Sequence, residues 1–463
     1  MNSSVDTTSE SNRDAIAGQM NTPEIQPAGE PVADIGSQAK IDIPLRSYYA
    51  LGMLFLVYVF NYIDRSILNI LNVPIKAELG LADWQIGLMS GIAFAAFYTV
   101  LGVPIARLAD THNRRNIIAV SLAAWSLMTA VCGLAQNFAQ LMLARIGVAV
   151  GEAGGSPPAH SMISDLFPAN RRATALAFYA LGIPVGTMLG YLFGGILTDV
   201  LNWRQAFMVV GLPGVLLAVL LVLTVREPVR VHDQGAVANT AALPPVSVVF
   251  KALWSRKSFR YMALGGALHA LVGYGVGAFV PSLFARVHGL SMTDIGLALF
   301  YLGFAGVFGT IAGGYFADRL AVRDVRWYVW LPGIATLISV PFSTSVYLLD
   351  NPYLAFWINA IPAFLGSYYL GPTFSLAQGM VGLRMRALAA SVLLFILNII
   401  GMGLGPVVVG FTSDLLKAFT DLGELSIRWA LVSVLLFNVL STVFYMLAGR
   451  DLKSDLARAH ELQ

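Results

Sequence analysis

Four ionisable side chains stand in stretches that are otherwise almost wholly apolar: Asp64 and Arg65 in one, Arg145 and Glu152 in another. At the centre of a membrane-crossing helix each would oppose insertion by ~2.5–3.5 kcal/mol, so four unpaired charges would cost roughly 10 kcal/mol. They must pair with one another or line water. Arg145 and Glu152 are seven residues apart, which on an α-helix is about 20° short of two turns. They share a face ~10 Å apart along the axis, too far for a direct salt bridge, but both can meet partners on one neighbouring helix. In the other stretch Tyr58, Asn61, Arg65, Asn69 and Asn72 fall within about 80° of one another on a helical wheel. Asp64 sits at the edge of that stripe, about 100° from Arg65.

Three uses suit such a set. The plainest is a structural ion pair that locks the two helices together. The second is proton carriage: a carboxyl group in a low-dielectric site holds its proton more tightly, and a nearby arginine releases it. An arginine that changes partners with conformation would switch proton affinity. On this reading Asp64 is the principal proton site and Glu152 the second carrier or partner, with Arg65 and Arg145 as the switching cations. The third is binding of an anionic head group, because arginine forks onto phosphate and carboxylate. The four charges sum to zero, so protonating one acid leaves a net positive site that favours an anion.

The surroundings of these residues fix what must position them. Of 463 residues 57% are hydrophobic and 12% charged, and the mean hydropathy is +0.70. A water-facing globular chain is ~25% charged, so most of this surface must face lipid. Twelve apolar segments can be marked, each near the ~20 residues needed to cross the hydrocarbon layer. Their length and continuity favour helices over barrel strands. The expected organisation is an all-α membrane protein: a polar tail (1–47), a six-helix bundle (48–225), a linker (226–257), a second six-helix bundle (258–450) and a short C-terminal tail (451–463). Of the 29 lysines and arginines, 22 fall in the tails, the linker and the even-numbered loops, which places both termini in the cytoplasm.

The halves repeat. Ala106-Arg-Leu-Ala-Asp110, with Arg114 and Arg115 after it, recurs as Gly314-Tyr-Phe-Ala-Asp318-Arg319 followed by Arg323. Gly195-Ile-Leu-Thr-Asp199 recurs as Gly410-Phe-Thr-Ser-Asp414. Duplicated bundles with a site at their interface are a transporter architecture. The paired loop motif resembles the signature of the major facilitator superfamily. More closely, Asn61-Tyr-Ile-Asp64-Arg65, Arg145 through Gly151-Glu152-Ala153, and Gly182-Ile-Pro184-Val-Gly186 resemble the spinster family of lysolipid and sphingosine-1-phosphate transporters. The resemblance implies alternating access and points to the same Asp, Arg and Glu positions for coupling. It implies a lipid-like substrate, with protons as the coupling ion.

Further expectations attach to named residues. Arg65, Arg145, Asn61, Tyr58, Tyr274, Tyr368 and Tyr369 are candidate substrate contacts, within a wider set of aromatics that includes Phe279, Phe300, Tyr301 and Phe304. Asp110, Arg114, Arg115, Asp318, Arg319 and Arg323, at cytoplasmic helix ends, suggest a latch favouring the outward-facing state through charge pairs and helix dipoles. His269 could relay protons or serve packing through hydrogen bonds. The Gly182/Pro184/Gly186 run resembles an antiporter motif, whereas the charge balance suits symport, so the direction of coupling stays open.

Exclusions complete the reading. Cys132, the only cysteine, rules out an internal disulfide and a cysteine-based metal cluster. A net charge of +3 with no basic tract gives no reason to expect nucleic acid. No nucleotide loop, cofactor motif, metal cluster or nucleophile constellation appears, so neither an enzyme nor a cofactor is expected. The expected protein is a monomeric carrier in the cell (inner) membrane that meets membrane lipids, protons and a lysolipid or sphingolipid-like amphiphile. The alternatives are a carrier of a soluble organic anion and a non-transporting membrane sensor.

Overall fold

The computed structural model describes residues 43–230, 246–382 and 385–458. The expected tail up to residue 42, the linker between 231 and 245 and the last five residues lie outside the described residues. Every regular element among the described residues is helical. The first half runs α1 (Leu45–Leu79), α2 (Asp83–Ser90), α3 (Ile92–Thr111), α4 (Arg114–Cys132), α5 (Phe138–Glu152), α6 (Ser156–Leu166), α7 (Ala169–Ala180), α8 (Gly182–Val200) and α9 (Trp203–Thr224). A short α10 (Val246–Ser255) precedes the second half. That half runs α11 (Lys257–His288), α12 (Met292–Ala321), α13 (Trp327–Leu348), α14 (Pro352–Gly366), α15 (Leu370–Gly379), α16 (Arg386–Ile396), α17 (Gly405–Phe419), α18 (Ser426–Val434) and α19 (Leu436–Ala457). Leu54, Ile67 and Trp125 are fully buried, while Leu143, Leu216 and Leu223 point outward. Apolar side chains on an outer surface are what a lipid-facing helix carries.

Among the described residues ten helical stretches are long and apolar enough to cross a membrane. Four of them, α2–α3, α7–α8, α16–α17 and α18–α19, are divided into two helical elements rather than continuous. The two remaining apolar segments, 138–164 and 352–382, are present as broken helices. α5 ends at Glu152 and α6 starts at Ser156. Gly154 and Gly155 weaken the helix there, and Pro157 and Pro158 lack the N–H that a helix interior requires, so they fit only a first turn. α14 ends at Gly366, a 3-10 turn covers Ser367–Tyr369, and α15 begins at Leu370. Each of α5 and α14 is 15 residues long, and both ends of α14 lie 214 positions after those of α5. Interrupted helices at corresponding places in two halves are the best structural pointer to a transport site. A third irregularity, the π-helical stretch Leu397–Leu404, precedes Pro406, which cannot donate to the carbonyl one turn back.

The halves meet through α8 on α12, α2 on α17 and α1 on α11. Glycine permits the first two contacts. A Cβ on Gly195 would strike the carbonyl oxygen of Met292 and lie 3.1 Å from the Gly296 Cα; one on Gly410 would strike the backbone of Asp83. These are corresponding positions in the repeat, and both lie at the end of the bundle away from the start of α1 and the end of α19.

At that far end each half also caps a helix of the other. Ala82, preceding α2, has no side chain able to cap it. Instead Asp414 of α17 accepts from the backbone N–H of Asp83 at 3.2 Å and of Trp84 at 2.7 Å. Asp199 of α8 accepts from the N–H of Thr293, in the first turn of α12, at 2.7 Å. Asp83 itself is 1% exposed. It accepts from Lys76 at 2.6 Å, from both terminal nitrogens of Arg286 at 2.9 and 3.0 Å, and from the Ser413 hydroxyl at 2.8 Å. The far end is therefore closed by an ionic knot over two glycine contacts.

Opening this end must strip α2 of its cap, which is typically worth ~1 kcal/mol. Asp414→Ala is therefore expected to raise the ratio of open to closed far end about fivefold. Spin-label distances between positions 201 and 290 on a Cys132→Ser background would show a grown long-distance population; an unchanged distribution would refute the capping role.

Candidate functional site

The four charged residues converge. The Arg65 Nε–H donates to Glu152 Oε2 at 2.6 Å, joining the middle of α1 to the last residue of α5. Asn61 is buried beside the same carboxylate. Asp64, one residue before Arg65 but turned away from it, faces Thr129 of α4, Arg145 and Glu152. Asp64, Arg145 and Glu152 are each at most 3% exposed. This arrangement follows from sequence spacing: Arg145 and Glu152 share one face of α5, and consecutive residues of α1 reach that face and α4. Gly151 makes the approach possible, since a Cβ there would sit 2.6 Å from the Trp125 backbone nitrogen.

The cluster is not closed. Asp64 Oδ1, Glu152 Oε1, Arg145 Nε and Nη1, and Thr129 Oγ1 are buried without a hydrogen bond of full geometry, although Thr129 stands within reach of the Asp64 carboxyl and Asn61 of the Glu152 carboxyl. A buried polar atom left so carries a desolvation penalty. Acceptors and donors gathered here are groups that a proton, a water or a repositioned side chain would satisfy.

The arginines are held by aromatic rings as well as by acids. The Arg65 guanidinium lies 4.6 Å from the centre of the Tyr98 ring, 5.1 Å from Phe94 and 5.2 Å from Tyr62. Arg145 lies 5.4 Å from the same Phe94. Phe94 thus stands between two cations and attracts both through its ring face, which offsets part of their mutual repulsion. Phe94, Tyr98 and Thr129 were not singled out from the sequence. Helical spacing alone does not tell a ring over a guanidinium from a packing residue.

Two joined cavities lie beside this cluster. The smaller, about 230 Å³, is lined by Arg65, Arg145, Asn69 and Ser90 from the first half and by Met402 and Pro406 at the π-helical stretch. The larger, about 500 Å³, is lined chiefly by the second half and has no Asp, Glu, Lys or Arg in its wall. Thr187, Tyr191, Gly273, Tyr274 and Gly277 border both. The volume of the larger lies within the range of small-molecule sites, ~300–1,000 Å³. Among the described residues no group of three His, Cys, Asp or Glu side chains could hold a metal ion.

The other expected contacts separate. Tyr274 lines both cavities and Tyr369 the larger one. Tyr368 packs instead on Phe364 and against Gly313 of α12. Tyr58 stacks on Tyr179 at 4.3 Å and meets Tyr62 edge-on. Phe279 is buried, while Tyr301 and Phe304 are exposed and Phe300 packs edge-on against both.

The repeated loop motifs form contacts within each half. Arg114 is 2% exposed and donates to Asp165 at 2.5 Å, Glu227 at 2.7 Å and the Ser161 hydroxyl at 2.8 Å. Arg115 donates to the carbonyls of Val222 and Val225. Asp318 accepts from the Tyr328 hydroxyl at 2.8 Å, and Arg319 donates to the Tyr315 hydroxyl at 3.2 Å. Arg323 lies in the turn after α12. The side chain of Asp110 lies outside the described residues.

Comparison with known proteins agrees with this geometry. The family model of the Major Facilitator Superfamily matches residues 54–408. The structure is similar to that of a bacterial homolog of the human lysosomal transporter spinster, solved inward-facing and unoccupied. The TM-score is 0.81 and the identity 32%, over 91% of this chain and 99% of that one. An MFS-type efflux pump of Mycolicibacterium smegmatis is 34% identical over 89% of this chain and 95% of its own length. A probable L-galactonate transporter of Escherichia coli is 26% identical over 80% of this chain and 84% of its own.

Breaking one partner of a buried ion pair strands the other and typically costs ~3–5 kcal/mol, whereas removing both costs less. Arg65→Ala and Glu152→Ala should each lower the melting temperature in detergent, and the double variant should recover part of the loss. Strictly additive losses would show that the two side chains do not depend on each other.

Proposed function

The chain belongs to the Major Facilitator Superfamily and is a multi-pass secondary transporter rather than an enzyme; from that premise we propose that it carries an anionic amphiphile coupled to protons. The observation that supports this most is the pairing of the two cavities: one is lined by Arg65 and Arg145, and the other offers a neutral, largely apolar wall. An acidic head group fits the first and the body of a lysolipid or sphingolipid-like molecule fits the second. The incompletely bonded oxygens of Asp64 and Glu152 are where a proton is bound. Protonating either acid raises the net charge beside the arginines and strengthens their hold on an anion.

In this reading both termini face the cytoplasm of a cell with this protein in its inner membrane, so the closed far end faces outward and the state is inward-facing. Protonation weakens the Glu152 grip on Arg65, α1 shifts against α5, and the knot around Asp83 opens. Arg114, Arg115, Asp318, Arg319 and Arg323, with Asp110, rearrange to close the cytoplasmic end, and the chain works as a monomer. A soluble organic anion is the second reading, favoured by the L-galactonate transporter among the relatives.

Proteoliposomes under an imposed pH gradient test this with labelled lysophosphatidylglycerol and labelled galactonate. Gradient-driven lysophospholipid flux is expected in the wild type, with a loss of at least about tenfold in Asp64→Asn, the scale of one missing coupling contact. Galactonate flux without lysophospholipid flux would move the substrate to the second reading. Flux with the same gradient dependence in Asp64→Asn would remove Asp64 from the proton path.

A further inference from the structure

The two broken helices are held at their breaks in parallel ways. In the first half, α1 reaches the last residue of α5: Arg65 donates to the Glu152 carboxylate, with Asn61 alongside. The offset of 208 that carries Ala106 onto Gly314 carries Asn61 onto His269, and the offset of 214 between α5 and α14 carries Glu152 onto Gly366. In the second half, His269 of α11 indeed reaches the last residue of α14, but Gly366 has no side chain, and its main-chain carbonyl takes the place of the carboxylate. His269 Nε2 lies 2.8 Å from that oxygen. A carbonyl only accepts, so Nε2 carries the hydrogen.

The other ring nitrogen, Nδ1, lies 3.0 Å from the Asn438 side-chain amide on α19 and 3.3 Å from the Thr336 hydroxyl on α13; with the amide turned so that its NH2 faces the ring, both donate to an unprotonated Nδ1 and the imidazole is neutral. The Tyr369 ring stands edge-on at 4.7 Å. His269 thus joins α11, α13, α19 and the break after α14 at one point, 7% exposed. Every group facing it is uncharged, and the cavity it borders has no acid or base in its wall apart from the histidine. The first clasp is charged; the second is neutral. Asn359 and Ser367, from either side of the break, line the same cavity.

We propose that His269 is a positioning residue for transport: as an Nε2–H donor it clasps the helix break at Gly366 to α11 and so presents the break's polar side chains to whatever occupies the larger cavity. The clasp responds to the occupant through the set of the helix, not by carrying a proton. It rests on the transport function of the family and not on the choice of substrate.

Hydrogen exchange of peptides spanning 362–376, measured beside lysophosphatidylglycerol uptake in proteoliposomes, tests it with three variants. His269→Leu, which cannot donate, should speed exchange across the break about tenfold, the scale of one lost hydrogen bond. It should also raise the KM for uptake. His269→Gln, whose amide can replace the Nε2–H, should restore both, and its pH profile should match the wild type. Gly366→Ala should leave exchange across the break at the wild-type rate, because its methyl would meet the ring at an ordinary 3.6 Å and the carbonyl that His269 clasps is kept. Exchange in peptides over the other break, 150–158, should not move, which controls for general unfolding. Wild-type exchange in His269→Leu, failure of glutamine to restore it, or a shifted pH profile in His269→Gln would each overturn the proposal. If the wild type takes up no lysophospholipid, the substrate reading fails, and exchange with glutamine rescue decides the clasp alone.

Discussion

A charge taken out of water must find a partner, and in this chain four of them must do so in one region of an apolar bundle. Asp64, Arg65, Arg145 and Glu152 sum to zero. That requirement dictates much of the architecture. Side chains of α1 have to reach α5 from its polar stripe, glycine has to bring α4 and α5 into backbone contact, and aromatic rings have to face the guanidiniums that the acids leave uncovered. The pairing is also incomplete, with an oxygen on each acid lacking a hydrogen bond of full geometry. A buried ion pair is often no more stabilising than packed hydrocarbon of the same volume, so stability alone is a weak reason for these charges.

Duplication then explains where the remaining parts lie. Both halves break the helix four segments in, both clasp the break from their first helix, and both cap a helix of the partner half with an aspartate at the far end. The chemistry differs between them. The first half clasps its break with charge and borders the small cavity with arginines; the second clasps with a neutral hydrogen bond and borders a cavity without charge. A substrate with unlike ends would find both surfaces, and the ion that drives transport would act on one clasp while the substrate acts on the other.

Much of this was legible before the structure. The apolar segments, the duplicated motifs and the meeting of helix 1 with helix 4 follow from composition and from the 100° step of a helix. The breaks were written too, in Gly154-Gly155-Ser-Pro157-Pro158 and in Gly371-Pro372. Read as continuous spans, 138–164 and 352–382 hid that signal because hydropathy stays high across it. The far-end knot was not legible. Asp83 and Arg286 are 203 positions apart and Asp83 and Asp414 are 331 apart, and no local period links them. The repeat had marked Asp199 and Asp414 as equivalent without saying what they hold. His269 was visible as a lone histidine in an apolar segment; only the position of Gly366 reveals its partner.

Infrared difference spectroscopy of the protein in lipid, stepped through pH, would test the proton site most directly and needs no substrate. A carboxylic acid inside the membrane gives a carbonyl band distinct from that of carboxylates. That band should grow on acidification in the wild type, vanish in Asp64→Asn and change in Glu152→Gln, which shares the cluster. A band unaltered by Asp64→Asn, or no titrating band at all, would contradict proton carriage and leave the four charges as a structural tie between helices.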